Sequence, residues 1–365
     1  PTDSAARAIE ALKQSGVVVK ILTGDNELVT RKVCREVGIE TPQVLTGGVL
    51  EQADAETFRR LILENNVFAR LTPTQKEKII VTLRACGNVV GFLGDGINDA
   101  PAMKAADVGI SVDTAVDIAK EAADIILLEK SLMVLEDGIL EGRKIFANIT
   151  KYIKMGASSN FGNMFSVVGG AYFLPFLPML PIQVLANNLL YDVSQIGIPT
   201  DKVDPDFIKT PHRWNIRYIQ KFMVFIGPLS SLFDYATFFL MLYFFNCTLF
   251  SHAGTSAAMK IYYEKLFHTG WFVESIFTQT LIVHIIRTHK IPFFQSSASP
   301  VLTGTTLGIM GLAAALPYMP WSADLLGLVP LPGVFWAWLA GFVLAYASIT
   351  HAVKQWFNRR FGGMA

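Results

Sequence analysis

The chain has 365 residues, of which 52% are hydrophobic and 17% charged, and its formal net charge is +1. This composition is too apolar for an ordinary soluble protein and predicts membrane segments. The small net charge and the lack of a basic stripe with interleaved aromatic residues argue against nucleic acid as a partner. Cys34, Cys86 and Cys247 fit neither a disulfide framework nor a metal-binding spacing.

The first part of the chain, to about Lys154, holds most of the charge and alternates short apolar stretches with amphipathic ones. It opens with "PTDSAARAIEALKQSG", a capped helix rather than a start methionine, so we expect the chain to begin inside a larger protein. Strands are predicted in "VVVKILTGDN", "VFARLT", "NVVGFLGDG", "DVGISV" and "DIILLE", with helices between them. This alternation predicts an α/β fold with a Rossmann-like parallel sheet, in which chemistry gathers beyond the carboxyl ends of the strands.

One predicted strand end, "LGDGINDAP", carries two acids close together. Gly94 and Gly96 allow a tight turn, and we expect Asn98 or Asp99 to cap the next helix. Asp95 and Asp99 repel each other unless a cation lies between them or one is strongly hydrogen-bonded. A magnesium-bound phosphoryl group would satisfy both. For Asp99 alone, a plain helix cap is the better interpretation.

Two other predicted strand ends carry polar residues. Thr23 and the Gly24 amide are suited to phosphate oxygens, and Asp25 adds an acid beside them. Lys76 lies three residues after Pro73, in a first helical turn that points towards the strand ends. Taken singly, the first motif is a common turn and the lysine a solvated charge.

The stretches "ILTGDN", "LTPTQKEKI" and "GFLGDGINDAPAMKAADVGIS" resemble the phosphorylation domain of P-type ATPases, cation pumps built on the haloacid-dehalogenase fold. The resemblance implies ATP as substrate and Mg²⁺ as the catalytic cofactor. It also implies that Thr23, Gly24 and Asp25 hold the phosphoryl group and nucleotide region. Lys76 would neutralise phosphoryl charge and Asp95 would bind the Mg²⁺. Asn98 and Asp99 would orient phosphate, metal and lysine, which makes Asp99 part of the metal site as well.

The family's phosphorylated aspartate, in an Asp-Lys-Thr-Gly-Thr motif, and its nucleotide-binding domain do not occur in this sequence. By the resemblance, the chain corresponds to the C-terminal part of a pump, its nucleophile lies in an N-terminal remainder, and alone it is inactive. Two alternatives stay open. One is a truncated, non-catalytic regulatory membrane subunit, and the other is a membrane-anchored phosphatase with a nucleophile supplied elsewhere.

The second part of the chain is predicted to be an all-α transmembrane domain. Residues 1–130 form the partial phosphorylation domain, 131–153 a connecting helix, 154–352 the membrane domain and 353–365 a tail. Each apolar segment is close to the roughly 20 residues that span a bilayer. The six predicted spans are 154–174, 182–200, 219–245, 268–287, 300–318 and 333–352. The lysine and arginine bias of the loops places residues 1–153 and the C-terminus in the cytoplasm of a plasma (inner) membrane protein.

Polar residues within these spans predict an ion pathway. Asn160 and Asn163 are three apart and Asn188 and Asp192 four apart, so each pair shares a helix face. An intramembrane carboxylate costs roughly 2.5–3.5 kcal/mol, which favours ion coordination by Asp192 and the amides. Hydrogen bonding between helices is the alternative for any single asparagine. Asp234 and Glu274 are further candidates, although Asp234 could pair with another helix and Glu274 could lie near the outer surface.

The motifs "SSNFGN" and "NNLLYD" resemble the cation-site motifs of the fifth and sixth pump helices, which gives Asn160, Asn163, Asn188 and Asp192 that role. Calcium and sodium/potassium pumps carry a glutamate where Asn163 stands. "SSNFGNMFSV", "LLYDVSQ" and "GWFVESIFTQTLIVHIIRTHKIPF" look most like the magnesium-transporting subgroup. The resemblance therefore implies ATP-driven Mg²⁺ import through an aspartyl-phosphate, with membrane lipid and the N-terminal remainder as partners. A pump for another cation such as Ca²⁺ is the alternative.

Overall fold

The computed structural model describes residues 3–39, 43–129, 131–252 and 254–362. The chain divides into two compact units. The first, Pro1–Gly142, is called the α/β unit here, and the second, Arg143–Ala365, the helical unit.

The α/β unit contains two three-stranded sheets, ordered β1-β3-β2 and β4-β5-β6, and every strand pair is parallel. This confirms the predicted parallel α/β fold. The elements of the unit are α1 (Asp3–Gln14), β1 (Ile21–Leu22), α2 (Glu27–Glu36), β2 (Leu45–Thr46), α3 (Gly47–Gln52), α4 (Ala55–Glu64), β3 (Val67–Ala69), α5 (Pro73–Ala85), β4 (Gly91–Leu93), α6 (Ala100–Ala105), β5 (Val108–Val112), α7 (Asp117–Ala122) and β6 (Ile125–Leu127). The sequence pattern did not predict β2, because this two-residue strand, unlike β1, does not follow an apolar run such as "VVVKIL".

The helix α5 belongs to the cores of both sheets. Its Ile79 packs in a buried cluster with Phe68 of β3. The next residue, Ile80, packs in a second cluster with Phe92 of β4 and Met103 of α6. Because α5 is held by apolar contacts on two sides, its first turn has a fixed position beside the strand ends.

The helical unit is built from long helices, with two short helices in the segments between them. A long helix, α8 (Leu132–Phe173), covers the segment expected to lead out of the polar half, and its role as a connecting helix stays a prediction. The remaining helices are α9 (Pro181–Ser194), α10 (Pro205–Lys209), α11 (Ile216–Phe239), α12 (Ala257–Ile286), α13 (Pro300–Ala315), α14 (Pro320–Leu325) and α15 (Gly333–Phe361).

Three helical segments of the described chain are long and apolar enough to cross a membrane: Ile216–Phe244, Pro300–Tyr318 and Gly333–Phe361. They coincide with the third, fifth and sixth predicted spans. The helix α9 has only 14 residues, fewer than the roughly 17–25 that a spanning helix needs. In α12, buried polar residues such as Glu274 and Gln279 lie among the apolar ones. The six-span arrangement therefore stays a prediction for the other three segments.

Small residues allow α8 and α11 to approach closely. A side chain at Gly162 of α8 would place its Cβ 2.7 Å from the carbonyl oxygen of Gly227, which is closer than real Cβ atoms come. Ser231 Oγ donates a hydrogen bond of 2.8 Å to the Gly162 carbonyl. Such contacts are typical of helix pairs in membranes. They hold α8 and α11 close enough for polar side chains of the two helices to form hydrogen bonds with each other.

Candidate functional site

Two of the predicted catalytic residues contact each other in the α/β unit. Lys76 Nζ donates a hydrogen bond of 2.7 Å to Asp99 Oδ1, and the two side chains are only 11% and 15% exposed. Lys76 comes from α5 and Asp99 from the turn after β4, 23 residues later. A charged donor and acceptor at this distance form a strong, oriented bond. The ion pair therefore fixes an ammonium group at the strand ends.

The position of Lys76 is set by the start of α5. Gln75 N donates to Thr72 Oγ1, and Thr72 N donates to Gln75 Oε1, which together form a capping box. Pro73 occupies the first turn, where a backbone N–H is not needed. Gln75 Nε2 also donates 3.1 Å to the Gly47 carbonyl. The cap thus ties the first turn of α5 to the neighbouring segment, and Lys76 follows directly after it.

The Thr23–Asp25 loop is joined to the segment that leads into α5. Leu71 N donates 3.0 Å to the Thr23 carbonyl, and Arg70 N donates 2.8 Å to the Asp25 carbonyl. Asp25 N in turn donates 3.1 Å to Thr23 Oγ1. Arg70 has a φ of +51°, in the left-handed region that residues other than glycine seldom occupy. Its role in holding the loop comes from backbone geometry, so no side-chain pattern could have predicted it.

The turn that carries Asp95 is anchored by three hydrogen bonds. Gly94 N donates to the Ile110 carbonyl, Ser111 Oγ donates 2.9 Å to the Gly94 carbonyl, and Val116 N donates 3.3 Å to the Asp95 carbonyl. A Cβ at Gly94 would lie 2.6 Å from Asp99 Cβ, so the turn requires glycine here. The backbone around Asp95 is thereby held from two sides.

The expectation that Asn98 or Asp99 caps the following helix is met in position but not by a side-chain hydrogen bond. Asp99 occupies the N-cap position of α6, but its side chain makes no capping hydrogen bond there. Its Oδ2 instead accepts a 3.4 Å hydrogen bond from Gly96 N, while Oδ1 accepts from Lys76. The nearby ammonium group offers the carboxylate a stronger partner than the helix amides do.

The Asp95 carboxylate is exposed and has no side-chain partner among the described residues, and Asn98 beside it is also exposed. An available carboxylate oxygen next to a phosphate site suits Mg²⁺, which prefers one or two carboxylates with phosphate oxygens and water. Asp99 is less available, because both of its oxygens already accept hydrogen bonds. Within the described residues, histidine, cysteine and acidic side chains form no group of three that could hold a metal.

The predicted cation ligands of the helical unit differ in their exposure. Asn160 on α8 is exposed, as are Asn188 and Asp192 on α9. Asn163 is half-buried, and its Oδ1 accepts a 2.9 Å hydrogen bond from Gln279 Nε2 of α12. Three of the four side chains thus lie on open faces of α8 and α9, and one points into the helix bundle.

The two further candidates, Asp234 and Glu274, are both buried, at 2% and 0% exposure. Asp234 accepts hydrogen bonds from Ser166 of α8 and Trp271 of α12, which agrees with the expected pairing to another helix. Glu274 is enclosed by the helical unit, and a position near the outer surface of the membrane stays a prediction. The sequence did not indicate its burial, because a 30-residue helix carries polar residues along much of its length.

A buried ionic cluster around Asp201 was not predicted from the sequence. Asp201 Oδ2 accepts from Lys151 Nζ at 2.7 Å and from Arg287 Nε at 2.8 Å, and its side chain is fully buried. Burial alone would raise the pKa of Asp201, but the hydrogen bond from Arg287 and the Lys151 ammonium hold it below its ordinary value. Asp201 Oδ1 also accepts from Ser299 N. The cluster joins α8, the segment after α9, the end of α12 and the start of α13.

Comparison with known proteins finds two families along the chain. Residues 1–107 match the haloacid dehalogenase-like hydrolases, and residues 176–356 match the family described as cation transporting ATPase, C-terminus. The chain is 52% identical over 362 residues to a magnesium-transporting ATPase, P-type 1, of Escherichia coli (strain K12). That alignment covers 99% of this chain and 39% of the relative.

Two further relatives agree with this similarity. A magnesium-transporting ATPase, P-type 1, of Salmonella typhimurium is 50% identical, with 99% of this chain and 38% of the relative aligned. A probable cation-transporting ATPase I of Mycobacterium leprae is 29% identical, with 97% of this chain and 22% of the relative aligned. The chain therefore spans about two fifths, or less, of the length of these relatives.

Proposed function

Because this chain belongs to the P-type cation-transporting ATPases, we propose that it forms part of an ATP-driven pump that imports Mg²⁺ across a plasma membrane. In this proposal the α/β unit handles the phosphoryl group, and the helical unit binds and conducts the cation. Residues 1–153 and the C-terminus lie on the cytoplasmic side, where ATP is present.

The observation that carries the proposal is the Lys76–Asp99 ion pair at the strand ends. Phosphoryl transfer is catalysed mainly by positioned charge, and a fixed ammonium group neutralises the phosphoryl oxygens without reorganisation. Asp99 orients Lys76, while the Thr23 hydroxyl and the Gly24 amide bind phosphate oxygens. Asp25 and Asn98 position the nucleotide and phosphate around them. Mg²⁺ held by Asp95, with Asp99 beside it, would neutralise further phosphate charge.

We place the phosphorylated aspartate upstream of Pro1, on a strand that pairs with both β1 and β4. Two observations support this. Ile21 N and Thr23 N of the β1 segment bond towards β3, and Gly94 N after β4 bonds towards β5, so each strand keeps an unpaired edge within the described residues. Leu93 of β4 is 38% exposed, as expected for an uncovered strand. A strand in that position would carry its aspartate to the same end of the sheet as Thr23 and Asp95.

For the cation we propose Asn160, Asn163, Asn188 and Asp192 as ligands. Their amide and carboxylate oxygens are the hard donors that Mg²⁺ prefers, and few anionic ligands suit an ion that keeps part of its water shell. The open faces that carry Asn160, Asn188 and Asp192 support a site completed by other segments of the pump. Asn163 lies on α8 and faces α12, where Gln279 donates a hydrogen bond to its side-chain oxygen.

The test is metal-stimulated ATP hydrolysis and metal uptake by the complete pump in sealed vesicles. Wild type should respond to Mg²⁺, and Lys76→Met should lose the activity, because it removes the ammonium group but keeps the side-chain length. Lys104→Met, an exposed lysine on α6, is the matched control and should behave as wild type. Wild-type activity in Lys76→Met would overturn the catalytic role, and a response to Ca²⁺ but not Mg²⁺ would favour the alternative cation.

A further inference from the structure

One turn of the helical unit displays apolar side chains on its outside. Residues 291–295, called the aromatic turn here, lie between α12 and α13. Ile291, Phe293 and Phe294 are all exposed, and Phe294 is 91% exposed. The whole connection, residues 287–299, contains no aspartate or glutamate. Grouped exposed apolar side chains mark a site of contact with a partner or a membrane, whereas single ones do not.

The backbone of the aromatic turn has an unusual conformation. Phe293 has a φ of +65°, in the left-handed region where a bulky residue is rarely found. Its backbone N donates a hydrogen bond of 3.2 Å to the Ser296 carbonyl, and its ring stacks on the His284 ring of α12 with a centroid distance of 5.4 Å. Phe293 therefore closes the turn against α12, while the ring of the next residue, Phe294, stays outside.

The aromatic turn is fixed to the buried part of the helical unit through Ser296, the residue that follows it. Arg287 Nη1 donates 3.2 Å to the Ser296 carbonyl and 3.1 Å to Ser296 Oγ, which in turn donates 3.1 Å to Asp204 Oδ1. The same guanidinium group donates to Asp201, so the turn is joined to the buried ionic cluster. The exposed side chains are thus presented by a fixed backbone.

Hydrogen bonds between helix ends place the aromatic turn at one end of the helical unit. The Tyr218 hydroxyl, near the start of α11, donates 3.2 Å to Asn358 Oδ1, near the end of α15. Asn358 Nδ2 donates 3.0 Å to His289 Nδ1, two residues before the turn. Both α11 and α15 belong to segments that are long and apolar enough to cross a membrane. The turn therefore lies at the level where these segments end.

Two tryptophans and several basic residues lie at the same end. Trp214 comes two residues before α11, Trp356 comes two residues before Asn358, and both are 49% exposed. The exposed basic side chains of α11 and α15 near this end are Arg217, Lys221, Arg359 and Arg360. Tryptophan and basic residues at the ends of apolar helices are typical of the boundary between membrane and water. The next candidate span, Pro300–Tyr318, begins five residues after the aromatic turn.

We propose that the aromatic turn is a membrane anchor, which inserts the side chains of Phe294 and Ile291 among the lipids beside α13. Because it rests on the proposed pump function, which puts the C-terminus in the cytoplasm, the anchor lies in the inner leaflet. An uncharged lipid surface is a sufficient partner, since burial of apolar side chains stabilises the contact. The anchor keeps Ser296, and the buried ionic cluster joined to it, at the level of the membrane boundary.

The test replaces Phe294 by the photoreactive analogue benzoyl-phenylalanine in the complete pump, in vesicles of phosphatidylcholine. Illumination should add the mass of a phospholipid to the peptide that contains position 294. The same analogue in place of Val18, which is 71% exposed in the α/β unit, is the control and should gain no lipid. A cross-link from position 294 to another segment of the pump, or no lipid adduct there, overturns the anchor.

A second variant covers the case in which the pump with the analogue fails to fold. Phe294→Trp keeps an aromatic ring, and tryptophan emission is quenched when brominated acyl chains touch the indole. The emission that Phe294→Trp adds to wild type should fall by more than half in brominated phosphatidylcholine, whereas the emission that Val18→Trp adds should not change. Equal emission of Phe294→Trp in brominated and plain lipid contradicts the anchor. Neither measurement uses ATP or metal, so a negative result here leaves the pump proposal standing, and a lack of Mg²⁺ uptake overturns only the pump proposal.

Discussion

In the α/β unit, the proposed phosphoryl site is already partly formed, since Lys76 and Asp99 meet at 2.7 Å and the turn around Asp95 is anchored on both sides. In the helical unit, Asn188 and Asp192 are exposed, and among the described residues Asn163 is the one proposed metal ligand with a hydrogen bond to another helix. A site that stabilises charge during catalysis works best when it is fixed in advance. A site that must accept and release an ion has to change its coordination during the cycle. The difference between the two regions follows from these two tasks.

The largest effect is expected from Asp95→Asn, which keeps the size of the side chain and removes its charge. Loss of one preorganised electrostatic group costs about 10²–10³ in rate, and we expect phosphoenzyme formation from labelled ATP to fall at least that far. Asp137→Asn, an exposed acid on α8, is the matched control. Robust phosphorylation of Asp95→Asn would contradict the claim that the α/β unit holds a preformed phosphoryl site.

The next largest effect is on the stability of the helical unit. It distinguishes the buried ionic cluster around Asp201 from the exposed metal ligands of the same unit. Asp201→Asn leaves the charges of Lys151 and Arg287 buried without their counter-ion, which costs about 3–5 kcal/mol. The purified pump should therefore unfold at a lower temperature. Asp206→Asn, whose side chain is 74% exposed, should leave the unfolding temperature unchanged. Equal unfolding temperatures for both variants would show that the cluster is not structural.

The pH dependence of the same experiment has a definite sign. The folded-state pKa of Asp201 lies below its ordinary value of 3.8, because Arg287 and Lys151 favour the ionised form. The stability that Asp201 contributes is fully present above that value and is lost as the pH falls through the lower folded-state pKa. The difference in unfolding temperature between wild type and Asp201→Asn should thus shrink below pH 3.8. A difference that stays constant there argues against an ionised Asp201.

A smaller effect is expected from Asp192→Asn. Removing the only carboxylate among the proposed metal ligands should raise the metal concentration for half-maximal uptake by roughly tenfold, the factor that corresponds to about 1.4 kcal/mol. The unfolding temperature should not fall, because Asp192 is exposed and unpaired in the described chain. If the variant loses stability but keeps its metal response, Asp192 has a structural role.

The smallest effect is expected from Thr72→Ala, which tests whether the helix cap before Lys76 helps to fix the phosphoryl site in advance. Thr72→Ala removes the side-chain cap of α5, which costs about 1 kcal/mol, and loosens the turn that precedes Lys76. The phosphorylation rate should fall by roughly fivefold at most, since about 1 kcal/mol corresponds to that factor. Thr74→Ala, an exposed residue of the same helical turn, is the control. Identical rates for the two variants would mean that the cap does not position Lys76.

The parallel pairing of the strands, which form two sheets here, and the contact between Lys76 and Asp99 could be inferred from the sequence. Parallel strands bring their carboxyl ends to one edge, so polar motifs after separate strands converge whatever their separation along the chain. The direction of the Asp99 side chain could not be inferred, because a cap and an ion pair with Lys76 are both compatible with its position. The structure shows the ion pair with Lys76 and no capping hydrogen bond from the Asp99 side chain.

The buried clusters of the helical unit show where sequence patterns give no information. Asp234 lies 37 residues from Trp271, and Asp201 lies 50 residues from Lys151 and 86 from Arg287. No local periodicity connects residues at such distances. Hydropathy also gives no sign of this burial in α12, because it treats polar residues as exposed whereas those of α12 are buried against other helices. Only tertiary packing reveals that, within the described residues, Asp201 accepts hydrogen bonds from Lys151, Arg287 and Ser299 whereas Glu274 accepts none.

The coupling between phosphoryl chemistry and metal binding can be measured through the decay of labelled phosphoenzyme in sealed vesicles, with metal added to the outer face. The account predicts that outer metal accelerates decay in the wild-type pump, and that Asp192→Asn forms phosphoenzyme normally but needs roughly tenfold more metal for the same acceleration, so that metal concentrations which are half-maximal for wild type have little effect on the variant. Acceleration of the same size in Asp192→Asn would contradict the account, because phosphate turnover would then respond to the metal without the proposed site.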